Sequence, residues 1–221
     1  LTSLLRYKER YGKEVDLKGA LFEVGDNHFH ESWAQPAFMM SVGLRKRHMF
    51  LDLGCGCLRG TSLLVDYLDQ GNFHGADVSQ PLLNQCGPIL KYVDVKNKPI
   101  LHLINDYDFF KLTKTKFDYI LSVSVLTHVL PDDIETFFRG VAGCLKPNGT
   151  YYFTIYPLDD GSFKGDMERM CYNIDYLKKV GDNAGLLIQD IPGEYHNLCN
   201  NFIDKVNTPM LGQWVLKGVL K

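Results

Sequence analysis

Short apolar runs alternate along the chain with stretches whose apolar residues recur every three to four positions. Residues 48–53 (HMFLDL), 72–78 (NFHGADV), 100–104 (ILHLI) and 117–125 (FDYILSVSV) read as strands, the last apolar nearly throughout, as a central parallel strand is. Residues 150–156 (TYYFTIY), 186–191 and 213–220 extend the series. Between them lie helical patterns. Leu63, Leu64, Tyr67 and Leu68 share one face over 61–68, and Ser79 caps a helix that Pro81 opens and that runs toward Tyr92. Ile134, Phe137, Phe138, Val141 and Leu145 stripe a helix over 131–145, stopped by Pro147-Asn148-Gly149. A further helix is expected over 173–180.

Strand and helix alternating at this spacing predict a parallel sheet with helices on both faces. The last two strands lack a helix between them, so the sheet is expected to end antiparallel. The fold class is thus α/β: a doubly wound, Rossmann-like, mostly parallel seven-stranded sheet with an antiparallel last strand. Residues 157–170 read as a polar loop, 1–45 as a helical cap or lid, and 46–221 as the main domain.

Composition changes this picture little. The chain has 221 residues, 45% hydrophobic and 23% charged, with a net charge of -2, enough for one domain with a full core. Without a broad basic field, nucleic acid is not the expected partner. No apolar run approaches the roughly 18 residues of a membrane helix, and the charged N-terminus does not read as a signal peptide. Cys55, Cys57, Cys86, Cys144, Cys171 and Cys199 show no zinc spacing. Reduced thiols in a cytoplasmic protein are the simplest expectation.

The densest chemistry lies in Phe50-Leu51-Asp52-Leu53-Gly54-Cys55-Gly56-Cys57-Leu58-Arg59-Gly60. An apolar strand ends in Gly-x-Gly and a helix follows, so the backbone turns sharply and admits a ligand close to the main chain. A P-loop is rejected because Thr61, not Lys, follows Gly60. A dinucleotide turn fits poorly, because Arg59 stands where the third Gly belongs. A cofactor without phosphate needs acceptors for an ammonium group, and Asp52 supplies one. Asp77 ends the second strand 21 residues beyond Gly56, the distance at which an acid accepts both ribose hydroxyls. Val78 would lie against adenine, Asp106 would accept its exocyclic amine, and Tyr107 would cover the ring. Ser122 ends the fourth strand under the cofactor. His128, before the helix at Pro131, is the candidate general base. Each has a plainer reading: Asp52 and Asp77 as turn caps, Asp106 as a turn residue competing with Asp108, Arg59 paired with a surface acid, His128 as packing.

The ordered series FLDLGCGCLRG, GADVS, NDYD, FDYILSVSVLTHV and LKPNGTYYFTIY resembles that of class I S-adenosylmethionine-dependent methyltransferases over residues 48–156. The resemblance implies S-adenosyl-L-methionine as cofactor. It places Asp52, Gly54, Cys55 and Gly56 at the methionine part, Asp77 at the ribose, Asp106 and Tyr107 at adenine, and Arg59 at the methionine carboxylate. Most relatives have Gly where Cys57 stands. No Asp/Asn-Pro-Pro-Tyr/Phe signature follows the fourth strand, and no catechol-type magnesium set is evident. By analogy within that family, a small molecule, a sugar hydroxyl or a natural-product intermediate is the expected acceptor. An NAD-linked oxidoreductase or a non-catalytic partner subunit are the competing readings. His28, His30 and Glu31 make a weak metal candidate, so no metal is expected. Phe29, Trp33 and Tyr11 are candidates for a substrate cap, and Tyr195 and His196 for an acceptor loop.

Overall fold

The computed structural model describes residues 3–12, 28–166, 168–191 and 213–221. Its centre is β1 (Phe50–Leu53), with β2 (Phe73–Asp77) and then β3 (Ile100–Leu103) on one side, and β4 (Phe117–Ser122) and then β5 (Leu145–Pro157) on the other, all parallel. β9 (Trp214–Leu220) runs antiparallel to β5, and β8 (Leu186–Asp190) pairs antiparallel with β9. The expected seven strands and the antiparallel end are thus present. The chain crosses from β1 to one side and returns to the other at β4. The crevice beyond these strand ends is where open α/β sheets bind ligands.

Both sheet faces are packed. α7 (Pro131–Cys144) buries Ile134, Phe137, Phe138, Val141 and Cys144. Pro131 opens it, and Asp132 and Asp133 in its first turn complement the positive end of the helix dipole. α8 (Ile174–Asn183) starts where Asn173 Oδ1 accepts the amides of Asp175 and Tyr176. On the other face lie α2 (His28–Ser41), which buries Phe38 and Met39, and α3 (Ser62–Tyr67), which buries Leu64 and Val65. α1 (Ser3–Tyr11) lies over the C-terminal ends of the strands, where Leu4 and Tyr7 line the cleft described below.

Four details depart from the sequence reading. The helix expected toward Tyr92 is two, α4 (Gln80–Asn84) and α5 (Cys86–Tyr92). Pro88 has no amide to donate and its ring would crowd the carbonyl four residues back, so the helix breaks at Gln85. A short α6 (Phe109–Thr113) was not foreseen; Asp108 caps it by accepting the Lys111 amide at 2.9 Å. β5 begins at Leu145 rather than at 150, pairing Leu145 with Phe117 before the register jumps to Tyr119 and Thr150. Residues 146–149 form that irregularity, held by the Lys146–Asp118 ion pair at 2.7 Å. The polar segment contains a hairpin, β6 (Phe163–Gly165) and β7 (Met170–Tyr172), which extends the sheet from the end of β5. All of β6 is exposed, so no alternation marks it.

His74 is buried in β2, with Nδ1 2.9 Å from Nε2 of His102 on β3. Burial pushes its pKa down to about 4, and the His102 charge adds to the effect.

Candidate functional site

The loop after β1 takes its shape from two glycines with left-handed φ, +85° at Gly54 and +52° at Gly56. A Cβ on Gly54 would stand 2.2 Å from Val125 Cγ2, so this turn and the turn after β4 touch. The loop amides are consumed inward. Gly54 N and Cys55 N donate to the Ala76 carbonyl at 2.7 and 3.1 Å. Gly56 N donates to Asp77 Oδ2 at 2.8 Å, and Ser79 N donates to Asp77 Oδ1 at 2.8 Å. Asp77 therefore staples the turns after β1 and β2 together. Burial raises its pKa, opposed by the amides of Ser79, Gly56 and Val78.

A cleft opens above these turns. Its floor and walls include Gly54, Gly56, Asp77, Val78, Tyr107, Ser124 and His128, and Leu4 and Tyr7 of α1 form its roof. The Tyr7 and His128 rings lie 5.1 Å apart. Tyr107 Oη donates to Asp133 Oδ2 at 3.4 Å, and its ring meets Phe109 and Phe137 edge-on.

The structure brings Gly54, Gly56, Asp77, Val78, Tyr107 and His128 to one cleft and leaves the other named residues off its walls. Asp52 lies behind the loop, where its Oδ2 accepts from Thr61 Oγ1 at 2.5 Å. Burial lifts its pKa to about 7; the Thr61 hydroxyl opposes the shift and the Asp77 charge adds to it. The Cys55 thiol packs under the loop, 3.0 Å from where a Cβ on Gly75 would stand. Arg59 is half-buried beside Cys57. Asp106 is exposed in an adjoining depression shared with Tyr107 and Arg139, and its Oδ1 accepts the Asp108 amide at 2.9 Å. Ser122 does not line the cleft: its Oγ is fully buried 2.5 Å from Tyr151 Oη, whereas the next residues, Val123 and Ser124, are on the cleft wall. The side chains of Tyr11, Phe29, His28, His30 and Glu31, and Tyr195 with His196, lie outside the described residues, whereas Trp33 is exposed. The α1 roof had no motif to reveal it, and nothing local in the sequence links Ser124 to Gln213.

Asp52 and His74 shift in opposite directions, and stability should register both. The unfolded chain protonates His74 first, so His74 costs stability as pH falls from 6.5 toward about 4. Folded Asp52 keeps a proton that the unfolded chain releases above 3.8, so its contribution is lost as pH rises through about 7. Between these limits the two oppose each other. Thermal melts of Asp52→Asn should lose several degrees on acidification relative to wild type, and His74→Leu should gain. Parallel Tm–pH curves for all three proteins would refute this.

A family model described as a methyltransferase domain matches residues 51–151, from β1 and its glycine turn into β5. Residues 51–151 of the chain are thus a methyltransferase domain. The methyltransferase shares its fold with an S-adenosylmethionine-dependent methyltransferase from Clostridium acetobutylicum ATCC 824 (17% identity, 98% of both chains, TM-score 0.61). It is similar in fold to a magnesium protoporphyrin IX methyltransferase from Synechocystis PCC 6803 with bound SAH (14% identity, 98% of this chain and 93% of that one, TM-score 0.63). The glycopeptide N-methyltransferase MtfA complexed with S-adenosylmethionine is a third (11% identity, 87% and 94%, TM-score 0.62). The Synechocystis enzyme is also known with S-adenosylmethionine bound, and the cleft of the present chain fits such a phosphate-free ligand. Among the described residues lining it there is no Lys or Arg. The amides of Gly54, Cys55 and Gly56, which a pyrophosphate would require as donors, are already used.

Proposed function

We propose that the methyltransferase alkylates a hydroxyl of a small molecule or sugar by in-line displacement. The observation that carries this reading is a cleft in which one imidazole, His128, stands among largely apolar walls beside the glycine turn. S-adenosylmethionine supplies a methyl group already activated on a sulfonium sulfur. The protein's task is to align, to exclude water and to accept a proton. Asp77 holds the ribose: its carboxylate accepts the amides of Gly56 and Ser79 and offers remaining lone-pair capacity to a hydroxyl. Val78 and Tyr107 flank adenine, with Asp106 reaching in from the adjoining depression. Gly54 and Gly56 set their main chain beside the methionine part, and Asp52 keeps that turn in shape through Thr61. His128 takes the acceptor proton as the new C–O bond forms. α1 serves as the cap, with Leu4 and Tyr7 over the cleft. The acceptors named for the porphyrin and glycopeptide relatives differ so widely that the fold does not choose among them, whereas the apolar walls favour a compact neutral acceptor.

Thermal shift separates this reading from its competitors. S-adenosylmethionine and S-adenosylhomocysteine at about 100 times Kd should raise Tm by about 5–10 °C, with NAD inert. Stabilisation by NAD alone would indicate the oxidoreductase. Binding without release of S-adenosylhomocysteine across a panel of hydroxylated acceptors would indicate the non-catalytic subunit. Once an acceptor is found, His128→Ala should slow turnover by about 10²–10⁴-fold while leaving S-adenosylhomocysteine affinity unchanged. An unaltered rate would remove His128 from the reaction.

A further inference from the structure

β3 is an edge of the sheet, paired with β2 on one side and with no strand on the other among the described residues. The Ile104 amide donates to the Asp77 carbonyl at 2.8 Å. Ile100, His102 and Ile104 therefore turn their main chain toward β2, and Leu101 and Leu103 turn theirs outward. Among the described residues, the one partner of those outward groups is Asn105 Nδ2, which donates to the Leu103 carbonyl at 3.2 Å and leaves it a second lone pair. Proteins blunt such edges with charge, a bulge or a cover. β3 carries no charged residue, and Ile100 and Leu101 are 41% and 36% exposed. Tyr92 at the end of α5 and Phe110 in α6 are exposed as well. α5 packs on one face of the sheet and α6 on the other, so the helices on both sides of β3 add exposed aromatic rings.

Charge decides what fits this edge. Lys98 precedes the strand and Asp106 follows it. Both are exposed, and neither has an ion pair among the described residues. A strand basic at its start and acidic at its end complements a reversed copy of itself. We propose that β3 is a self-association edge, on which a second copy of the chain sets its own β3 antiparallel about a two-fold axis at His102, joining two sheets into one. In that register Leu101 of each copy faces Leu103 of the other. Both present their main chain outward, so each pair exchanges both of its hydrogen bonds. The same register sets Lys98 of each copy opposite Asp106 of the other. It ends at Pro99, which has no amide to give Asn105. Burial holds the His102 pKa below its ordinary value, so the two imidazoles at the axis meet uncharged at neutral pH. The other sheet edges do not complement themselves in this way. β6 has three residues, and no Lys or Arg in residues 181–185 stands ahead of β8 to answer the Asp190 at its end.

Sedimentation equilibrium of the whole protein at neutral pH tests the association. Asp106 also borders the depression beside the cleft, so the protein is used without cofactor. Wild type should approach twice the chain mass by about 100 µM. Lys98→Glu opposes acid to acid at both ends of the pairing and should weaken the dimer at least about ten-fold, as should Asp106→Lys. Combining the two restores opposite charges and should return the dimer to within about three-fold of wild type. Lys98 is exposed, so its reversal should leave Tm within about 1–2 °C of wild type. The register is read separately. His102→Cys sets two thiols across the axis with Cα atoms about 4.5 Å apart, within reach of a disulfide. Oxidised glutathione, itself reduced to two thiols, should therefore link this variant into a covalent dimer, and should leave wild type and Leu101→Cys unlinked. Wild type that keeps the mass of one chain at these concentrations would overturn the proposal. So would a dimer that neither charge reversal weakens, or one that His102→Cys fails to lock.

Discussion

Asp77→Ala should weaken S-adenosylmethionine binding by at least about 100-fold, since two hydrogen bonds to an ionised carboxylate are each worth about 1.5–3 kcal/mol. The structure adds a second consequence. Asp77 accepts the amides of Gly56 and Ser79, so alanine leaves two buried donors unsatisfied, at about 1–3 kcal/mol each, and Tm should fall as well. Asp77→Asn keeps one acceptor oxygen and should fall between the two on both measures. Titration calorimetry well below the lowered Tm separates binding from unfolding. An Asp77→Ala protein that binds with undiminished affinity would end the ribose assignment.

Gly54→Ala carries the second large effect. The added Cβ meets a left-handed φ of +85° and would lie 2.2 Å from Val125 Cγ2. Backbone strain of about 1–2 kcal/mol and overpacking of about 1–3 kcal/mol should together lower Tm by about 4–20 °C for a domain of this size. The methyl group also occupies the approach to the main chain, so cofactor affinity should fall with stability. Trimming the partner tests the cause. Gly54→Ala combined with Val125→Ala should recover the overpacking part of the loss and leave the φ part. A double variant no more stable than Gly54→Ala alone would show that Val125 is not the obstacle.

What was legible in the sequence was local or periodic. The apolar run ending in Leu53, Gly54 and Gly56 announced both the strand and the turn, because only glycine adopts that backbone cheaply. Asp77 was found by its distance from that turn. The stripe over α7 was read correctly because a one-sided helix repeats every 3.6 residues. The exposed strand β6 has no such signature, and the break at Gln85 depended on a proline three residues further on.

Within the site the division follows the same logic. Asp52, Ser122 and Arg59 sit at the right places in the chain, yet a side chain's direction depends on what packs around it. Asp52 found Thr61 behind the loop, and Ser122 found Tyr151 inside the core.

By itself the sequence determined the order of elements, the glycine turn, the acid at the end of β2 and the methyltransferase domain that these mark, since each depends on residues close together in the chain. Only the tertiary structure decided which polar groups face the cleft. α1 reaches across it from the N-terminus, and Ser124 meets Gln213 across 89 positions. Contacts of that span are selected by the packing of the whole domain and leave no periodic trace along the chain.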